Sequence, residues 1–169
     1  MSIAALGVLP ILTLTACTDG DDSPATLTPE EICELVTTTE MADLVGADNV
    51  NAEAGPSSAQ SSCVYAYTRP VGMEGTANIY VSVLTGDRTN NQTGSEALAH
   101  IAAEAGATGA GALAGVDTEN FTTSAGPGQM VAALDDHGRV ATLMLDSDLT
   151  ADQQAAVTNA VLDALAKHG

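Results

Sequence analysis

The sequence has few basic and few aromatic residues. Four Lys and Arg stand against 22 Asp and Glu, which gives a formal net charge of −18 at pH 7, and there are three Tyr, one Phe and no Trp. Such an acidic surface repels phosphate groups, which excludes a DNA- or RNA-binding protein. Charged residues make up 15% and hydrophobic residues 45% of 169 positions, a composition typical of one folded domain rather than a disordered acidic chain.

Common catalytic and cofactor motifs are absent as well. The chain contains no G-x-S-x-G, S-x-x-K or C-x-x-C sequence. His100, His137 and His168 fall in separate predicted elements, so neither a metal site nor a catalytic triad is predicted. The carboxylates, among them Asp135 and Asp146, are spread along the chain and are expected to be solvated. We therefore expect no catalytic residues, no metal and no cofactor.

A short apolar segment opens the chain and is followed by a cysteine. Residues 3–14 match the apolar core of a signal peptide in length and are too short to span a bilayer, which takes about 20 residues. The next residues complete a bacterial lipobox, Leu14-Thr15-Ala16-Cys17. This pattern predicts a lipoprotein signal peptide at 1–16 and a lipidated Cys17 that begins a flexible tether at 17–27. The alternative is a buried apolar segment that precedes Cys17 by chance.

Cys33 and Cys63 are the two other cysteines. If Cys17 carries lipid, an even pair remains, and the export signal implies an oxidising compartment in which disulfides persist. We therefore predict a Cys33–Cys63 disulfide, which contributes about 3–4 kcal/mol in the chain-entropy description. The alternatives are a catalytic thiol or a metal ligand, but no second pair of metal ligands stands beside either cysteine.

Four segments begin with a capping-box pattern, in which Thr is followed three residues later by Glu or Gln. They are Thr28-x-x-Glu31, Thr37-x-x-Glu40, Thr93-x-x-Glu96 and Thr150-x-x-Gln153. Apolar residues follow each box at helical spacing, so four helices are predicted, the last at about 151–167.

Alternating apolar residues predict strands between these helices. They lie at 63–67, 78–84, 129–134 and 139–145, with a weaker strand at 120–123, whereas 47–62 is predicted to be a long loop. Hairpin-joined strands form antiparallel sheets. We therefore predict a single α+β domain at 28–169, with an antiparallel sheet of about five strands and helices mainly on one face.

Three tyrosines, Tyr65, Tyr67 and Tyr80, fall on neighbouring predicted strands. Tyrosines that line an apolar cavity with their polar ends inward are typical of small-molecule sites, which makes these three the candidate ligand-binding residues. The alternative is that they simply fill the core.

The lipobox Cys17, the segment Cys33-Glu34-Leu35-Val36 and the segment Cys63-Val64-Tyr65 together resemble a protein family. It comprises small actinobacterial, mycobacterial-type lipoproteins with a two-cysteine domain of unknown function. Members commonly have Trp at the place of Tyr65. The resemblance implies a Mog1/PsbP-like α/β sandwich, a location at the outer face of the cell membrane, and no established catalytic residues.

These observations favour a non-enzymatic, monomeric, lipid-anchored protein of the cell envelope. We expect it to bind a small apolar ligand or an envelope protein partner. A cavity between sheet and helices is expected for the ligand, and an exposed apolar patch for the protein partner. One alternative is an accessory or sensor module of an envelope complex that contacts a basic partner surface. The other is an envelope hydrolase whose site residues converge only in the folded chain.

Overall fold

A computed structural model describes residues 26–55, 61–69, 75–84, 93–106, 111–126 and 128–168. The predicted signal peptide, the lipidated Cys17 and all but the last residues of the tether lie outside this set. Within the described residues, no helix combines the length and apolar character that crossing a bilayer requires.

The described residues form four helices and six strands. The helices are α1 (Pro29–Leu35), α2 (Thr38–Val45), α3 (Gly94–Glu104) and α4 (Ala151–Ala166); the strands are β1 (Val50–Ala54), β2 (Ser61–Thr68), β3 (Thr76–Leu84), β4 (Asn120–Ala125), β5 (Gly128–Leu134) and β6 (Val140–Asp146). The strands make one open sheet in the order β1-β2-β3-β6-β5-β4, and every neighbouring pair is antiparallel. The predicted α+β class is confirmed.

The sheet has six strands rather than the predicted five or so, because β1 lies inside the segment that was expected to be a loop. Val50 is the one buried residue of β1, so the strand lacks the alternation by which strands are recognised. Strand β1 forms because it pairs with β2, from Val50 opposite Tyr67 to Ala54 opposite Cys63. Tertiary pairing therefore overrides a weak local preference at this edge.

All four predicted capping boxes are present. In α1, the backbone nitrogen of Glu31 donates to Thr28 Oγ1 at 3.2 Å, and the backbone nitrogen of Thr28 donates to Glu31 Oε2 at 2.7 Å. The boxes of α2, α3 and α4 repeat this arrangement. Each satisfies two backbone donors that a helix start leaves unpaired, which fixes where each helix begins.

Helices α1, α2 and α4 cover one face of the sheet and bury the larger core. Ile32 and Met41 from the helices pack with Val81 and Leu143 from the sheet, all fully or almost fully buried. The predicted disulfide is confirmed: Cys33 in α1 is bonded to Cys63 in β2, with 5.0 Å between their Cα atoms. This face is therefore closed by packing and by a covalent bond.

Helix α3 packs on the opposite face of the sheet. Its Leu98 joins Leu84, Phe121 and Val140 in a second, smaller core. Because Leu84 ends β3 and Val140 begins β6, α3 covers this end of the two strands. No other described helix packs on this face, and its remainder, toward the start of β3 and the end of β6, forms the site described below.

Candidate functional site

A row of apolar side chains crosses the sheet face beyond α3. Val64, Tyr80, Met144 and Met130 are successive cross-strand neighbours on β2, β3, β6 and β5. Val64, Met144 and Met130 are half-buried, whereas Tyr80 is 44% exposed and is the one exposed large hydrophobic residue among those that the structure describes. Aromatic and methionine side chains at an uncovered surface are typical of contact sites.

A groove of about 560 Å³ lies beside this row, and we call it the Tyr80 groove. Tyr80 and Met144 belong to its wall, and the small residues Ala125 and Gly128 leave room opposite them. The remaining lining residues are Arg69, Thr76, Ala77, Asn78, Leu145 and Asp146. The lining is mostly apolar, and its charged groups lie at one end, where β6 finishes.

Gly128 lets the backbones of β5 and β6 come close together beside the groove. A Cβ atom at this position would lie 2.5 Å from the carbonyl oxygen of Leu145 on β6, closer than real Cβ atoms approach. The two backbones can therefore approach this closely only with glycine at position 128.

An ion pair closes the charged end of the groove. Arg69 binds Asp146 with two hydrogen bonds of 3.0 Å, from Nε to Oδ2 and from Nη2 to Oδ1. The Asp146 side chain is 5% exposed and that of Arg69 is 27% exposed. The hydrogen bonds to Asp146 hold the pKa of Arg69 above its ordinary value, so the guanidinium stays charged. Bidentate pairing fixes the geometry of both groups.

A second carboxylate joins this pair. Asp148 Oδ2 lies 3.3 Å from Arg69 Nη2, and the Asp148 side chain is 44% exposed. The backbone nitrogen of Asp148 donates to Asp146 Oδ1 at 3.2 Å. Among the described residues at this end of the groove, one guanidinium therefore meets two carboxylates, which gives a net charge of −1.

The structure divides the three candidate tyrosines between the two faces of the sheet. Tyr65 lies opposite Ile79 and Tyr80 opposite Val64, and successive residues of a strand point to opposite faces. Tyr65 and Tyr67 therefore point toward the helices, at 1% and 3% exposure, and Tyr80 points away from them. The three do not line one cavity: Tyr80 lines the groove, and Tyr65 and Tyr67 fill the core.

The buried tyrosines have separate roles there. The Tyr65 hydroxyl donates to the carbonyl oxygen of Val36, just after α1, at 2.9 Å. The Tyr67 hydroxyl lies 3.5 Å from Asp146 Oδ2, to which it donates a long hydrogen bond at the end of the groove. Burial raises the pKa of both phenols to about 12, and the charge of Asp146 adds to the effect at Tyr67.

The expectation of solvated carboxylates is wrong for Asp135 and Asp146. Both are buried, at 5% and 8% exposure, because each faces an arginine that compensates its charge. Asp135 Oδ2 accepts a 2.7 Å hydrogen bond from Arg139 Nε, and Arg139 is fully buried. Arg139 also donates to the carbonyl oxygens of Leu165 and His168 at the end of α4. We call this arrangement the α4 clamp.

A smaller groove of about 410 Å³ lies on the helical side of the sheet. Leu44 of α2 and Ala164 of α4 contribute to its apolar part, while Asp43 and Asp163 carry negative charge at its rim and Lys167 carries positive charge. In the part of the chain that the structure describes, no group of three or more His, Cys, Asp or Glu side chains is arranged to hold a metal ion.

Comparison with known proteins gives no further guide to the site. No family model, no curated protein and no solved structure matches the chain. The function must therefore be inferred from the Tyr80 groove itself.

Proposed function

We propose that this protein is a lipid-anchored, non-enzymatic protein of the cell envelope that holds a small apolar ligand in the Tyr80 groove. The observation that carries the proposal is the groove itself, about 560 Å³ in volume and walled by Tyr80 and Met144. Small-molecule sites have volumes of about 300–1,000 Å³, with apolar walls and a few polar groups that orient the ligand. Arg69 and Asp146 supply such groups at one end.

The engagement of those charged groups supports binding rather than catalysis. Both oxygens of Asp146 accept hydrogen bonds, from Arg69, Tyr67 and the backbone of Asp148. A general base needs a free lone pair within reach of the proton that it removes. Asp146 instead fixes Arg69, and the pair serves as a rigid polar end of the groove.

The anchor is the second part of the proposal. Cys17 carries the lipid that holds the domain at the outer face of the cell membrane, and residues 17–27 tether the two. The Cys33–Cys63 disulfide supports an oxidising location and the resemblance to the small actinobacterial lipoproteins with a Mog1/PsbP-like sandwich.

Metabolic labelling tests the anchor. Cells that express the full chain are fed an alkyne-bearing fatty acid, and the protein is expected to take up the label. Cys17→Ser should abolish labelling, whereas Cys33→Ser, which breaks the Cys33–Cys63 disulfide and leaves Cys17 in place, should retain it. Label that remains on the Cys17→Ser protein would contradict a lipid on this residue.

Native mass spectrometry tests the ligand. The protein is purified from an exporting actinobacterial host, and its mass is compared before and after denaturation. A mass increment that denaturation releases, and that is lost in Tyr80→Ser, supports ligand binding in the groove; Glu34→Gln, an exposed change on α1, should retain it. The bare chain mass in every preparation would argue against a tightly held ligand.

A second candidate function is an accessory module of an envelope complex. The helical side favours it, because Asp43 and Asp163 border an apolar groove there and complement a basic partner surface. A photo-crosslinking residue at Leu44 or at Tyr80 compares the two surfaces in intact cells. A discrete protein adduct from Leu44, with none from Tyr80, would favour the accessory module over the ligand carrier.

A further inference from the structure

The charges around the Tyr80 groove select among apolar ligands. Of the described residues that line the groove or bind its charged end, Arg69, Asp146 and Asp148 carry charge. Arg69 is committed to Asp146, and the more exposed carboxylate, Asp148, adds a further negative charge. An anionic head group would approach Asp148 and meet a guanidinium whose charge is already compensated by Asp146, so the groove disfavours acids.

The charged end of the groove suits a positive group as well. Asp148, with a side chain 44% exposed, can accept a hydrogen bond from an ammonium group without losing its contact with Arg69. The net charge of −18 adds a long-range attraction for cations. The attraction by Asp148 and the long-range attraction by the net charge both favour a cationic ligand.

We infer that the ligand is a cationic amphiphile, with an apolar chain or ring along Tyr80 and Met144 and one ammonium group near Asp148. This inference rests on the proposed function, because it names the class of ligand for the same groove. The apolar part lies along the row of Tyr80, Met144 and Met130. The ammonium group lies at the end of β6, where the surplus carboxylate is.

Three probes with the same chain and different head groups test this inference: decylammonium, decanol and decanoate, each below its micelle-forming concentration. Binding to the complete mature protein is followed by NMR of methionine methyl groups labelled with carbon-13. The Met144 signal reports on the groove, and Met41, fully buried on the other face, is an internal control. We expect decylammonium to bind most tightly and decanoate least tightly, with Met41 unchanged.

Two variants that each remove one negative charge distinguish the local effect of Asp148 on binding from the effect of the overall charge. Asp148→Asn is expected to weaken decylammonium binding about three- to fivefold and to leave decanol binding unchanged, as for a partly exposed ion pair. Asp43→Asn removes an exposed carboxylate from the helical side and should leave both affinities unchanged.

The outcomes distinguish the two proposals. Equal affinity for the three probes at Met144 would overturn the cationic class and leave the groove as a general apolar site. No response of Met144 to any probe would overturn the proposed function itself. If Asp43→Asn weakens decylammonium binding as much as Asp148→Asn does, the preference for the cation comes from the overall charge of the protein. That result would overturn a role for Asp148.

Discussion

The two ends of β6 each carry an Arg–Asp pair, and the two pairs differ in their surroundings. Before β6 begins, Arg139 and Asp135 are enclosed, with side chains 0% and 1% exposed. Where β6 ends, Arg69 is 27% exposed and borders the Tyr80 groove. The first pair also holds the carbonyl oxygens at the end of α4, whereas the second also contacts Asp148 and Tyr67.

This difference shows how one chemical pair can serve two purposes. Desolvation of a buried ion pair offsets most of its attraction, so the α4 clamp fixes the position of α4 more than it adds net stability. Loss of one partner, in contrast, leaves a buried charge without compensation. At the groove, water reaches Arg69 and can replace a lost partner. The same strand is therefore enclosed at one end and borders the open Tyr80 groove at the other.

The largest effect is expected from Arg139→Met. Asp135 would keep its burial without a counter-charge, and the carbonyl oxygens of Leu165 and His168 would lose the hydrogen bonds from Arg139. Loss of one partner from a buried pair costs about 3–5 kcal/mol, and the free energy of unfolding should fall by that amount in urea. Lys167→Met, an exposed change at the same end of α4, should have little effect. Equal losses in the two variants would show that Arg139 is not a clamp.

The next largest effect is expected at high pH, where ionisation of Tyr65 and of Tyr67, which contacts Asp146 at the groove end, lowers the free energy of unfolding. A tyrosine in the unfolded chain ionises near pH 10, and in the fold the pKa of Tyr65 and of Tyr67 is raised to about 12. Folding keeps both phenols protonated, so their stabilisation is complete below pH 10 and is lost as the pH rises through about 12.

A rise in pKa from 10 to about 12 corresponds to about 3 kcal/mol once both states are ionised, and solvent screening reduces this value, more so at Tyr67. Ultraviolet absorbance of phenolate, recorded with the unfolding free energy at each pH, measures the effect. Tyr67→Phe should remove its share of the alkaline loss, and Tyr80→Phe, on the exposed face, is the matched control. A phenolate signal near pH 10 from Tyr65 and Tyr67 in the folded protein would contradict their burial.

A smaller effect on stability is expected from Asp146→Asn at the groove end. Asparagine keeps an oxygen for Arg69 and Tyr67, and water reaches the guanidinium, so the free energy of unfolding should fall by less than half of the Arg139→Met loss. The Met144 methyl signal should shift, because the end of the groove relaxes, while Met41 should not. A loss as large as that of Arg139→Met would remove the distinction between the two pairs.

The smallest effect on stability is expected when acid protonates the capping boxes at the helix starts. Here α1, α2 and α3 are compared with α4. The pKa values of Glu31, Glu40 and Glu96 are lowered, chiefly by hydrogen bonds from the backbone of the capping threonines. These carboxylates therefore stabilise the fold above their ordinary pKa of 4.5, and the contribution is lost as the pH falls through the lowered values. The box of α4 uses Gln153, which does not titrate.

Hydrogen exchange measured above and below these pKa values checks this difference. Amides in the first turns of α1, α2 and α3 should lose protection in acid, while those in the first turn of α4 keep it. Glu96→Gln should make α3 respond like α4. Parallel loss of protection in all four helices would indicate global unfolding rather than protonation of the caps.

The parts of the fold that local chemistry determines were predictable. Each helix start is set by a Thr and a Glu or Gln three residues apart, a signal contained in four consecutive positions, and the alternation around Ile79 identifies β3. Strand β1 was not predictable, because Asn51 and Glu53 give it no apolar pattern and its partner follows in β2.

The candidate site was predictable in part. The sequence places Tyr80 on a strand, which made it a candidate. Whether it shares a sheet face with Tyr65 and Tyr67 depends on the register between β2 and β3, and a shift of one residue in that register reverses the face. The Arg69–Asp146 pair spans 77 positions, so no local pattern indicates it. Asp135 and Arg139 flank a three-residue turn, and with four basic residues in the chain that proximity was a usable signal.

The link between α1 and β2 also determines how the domain bears mechanical load. Tension on the chain ahead of α1 can unwind the helix only as far as Cys33, where the disulfide passes the force to Cys63 in β2. Beyond that point the load falls on the ladders that join β2 to β1 and to β3, which must shear before the larger core opens. In the lipid-anchored form that we propose, the domain is thereby held through the sheet rather than through its first helix.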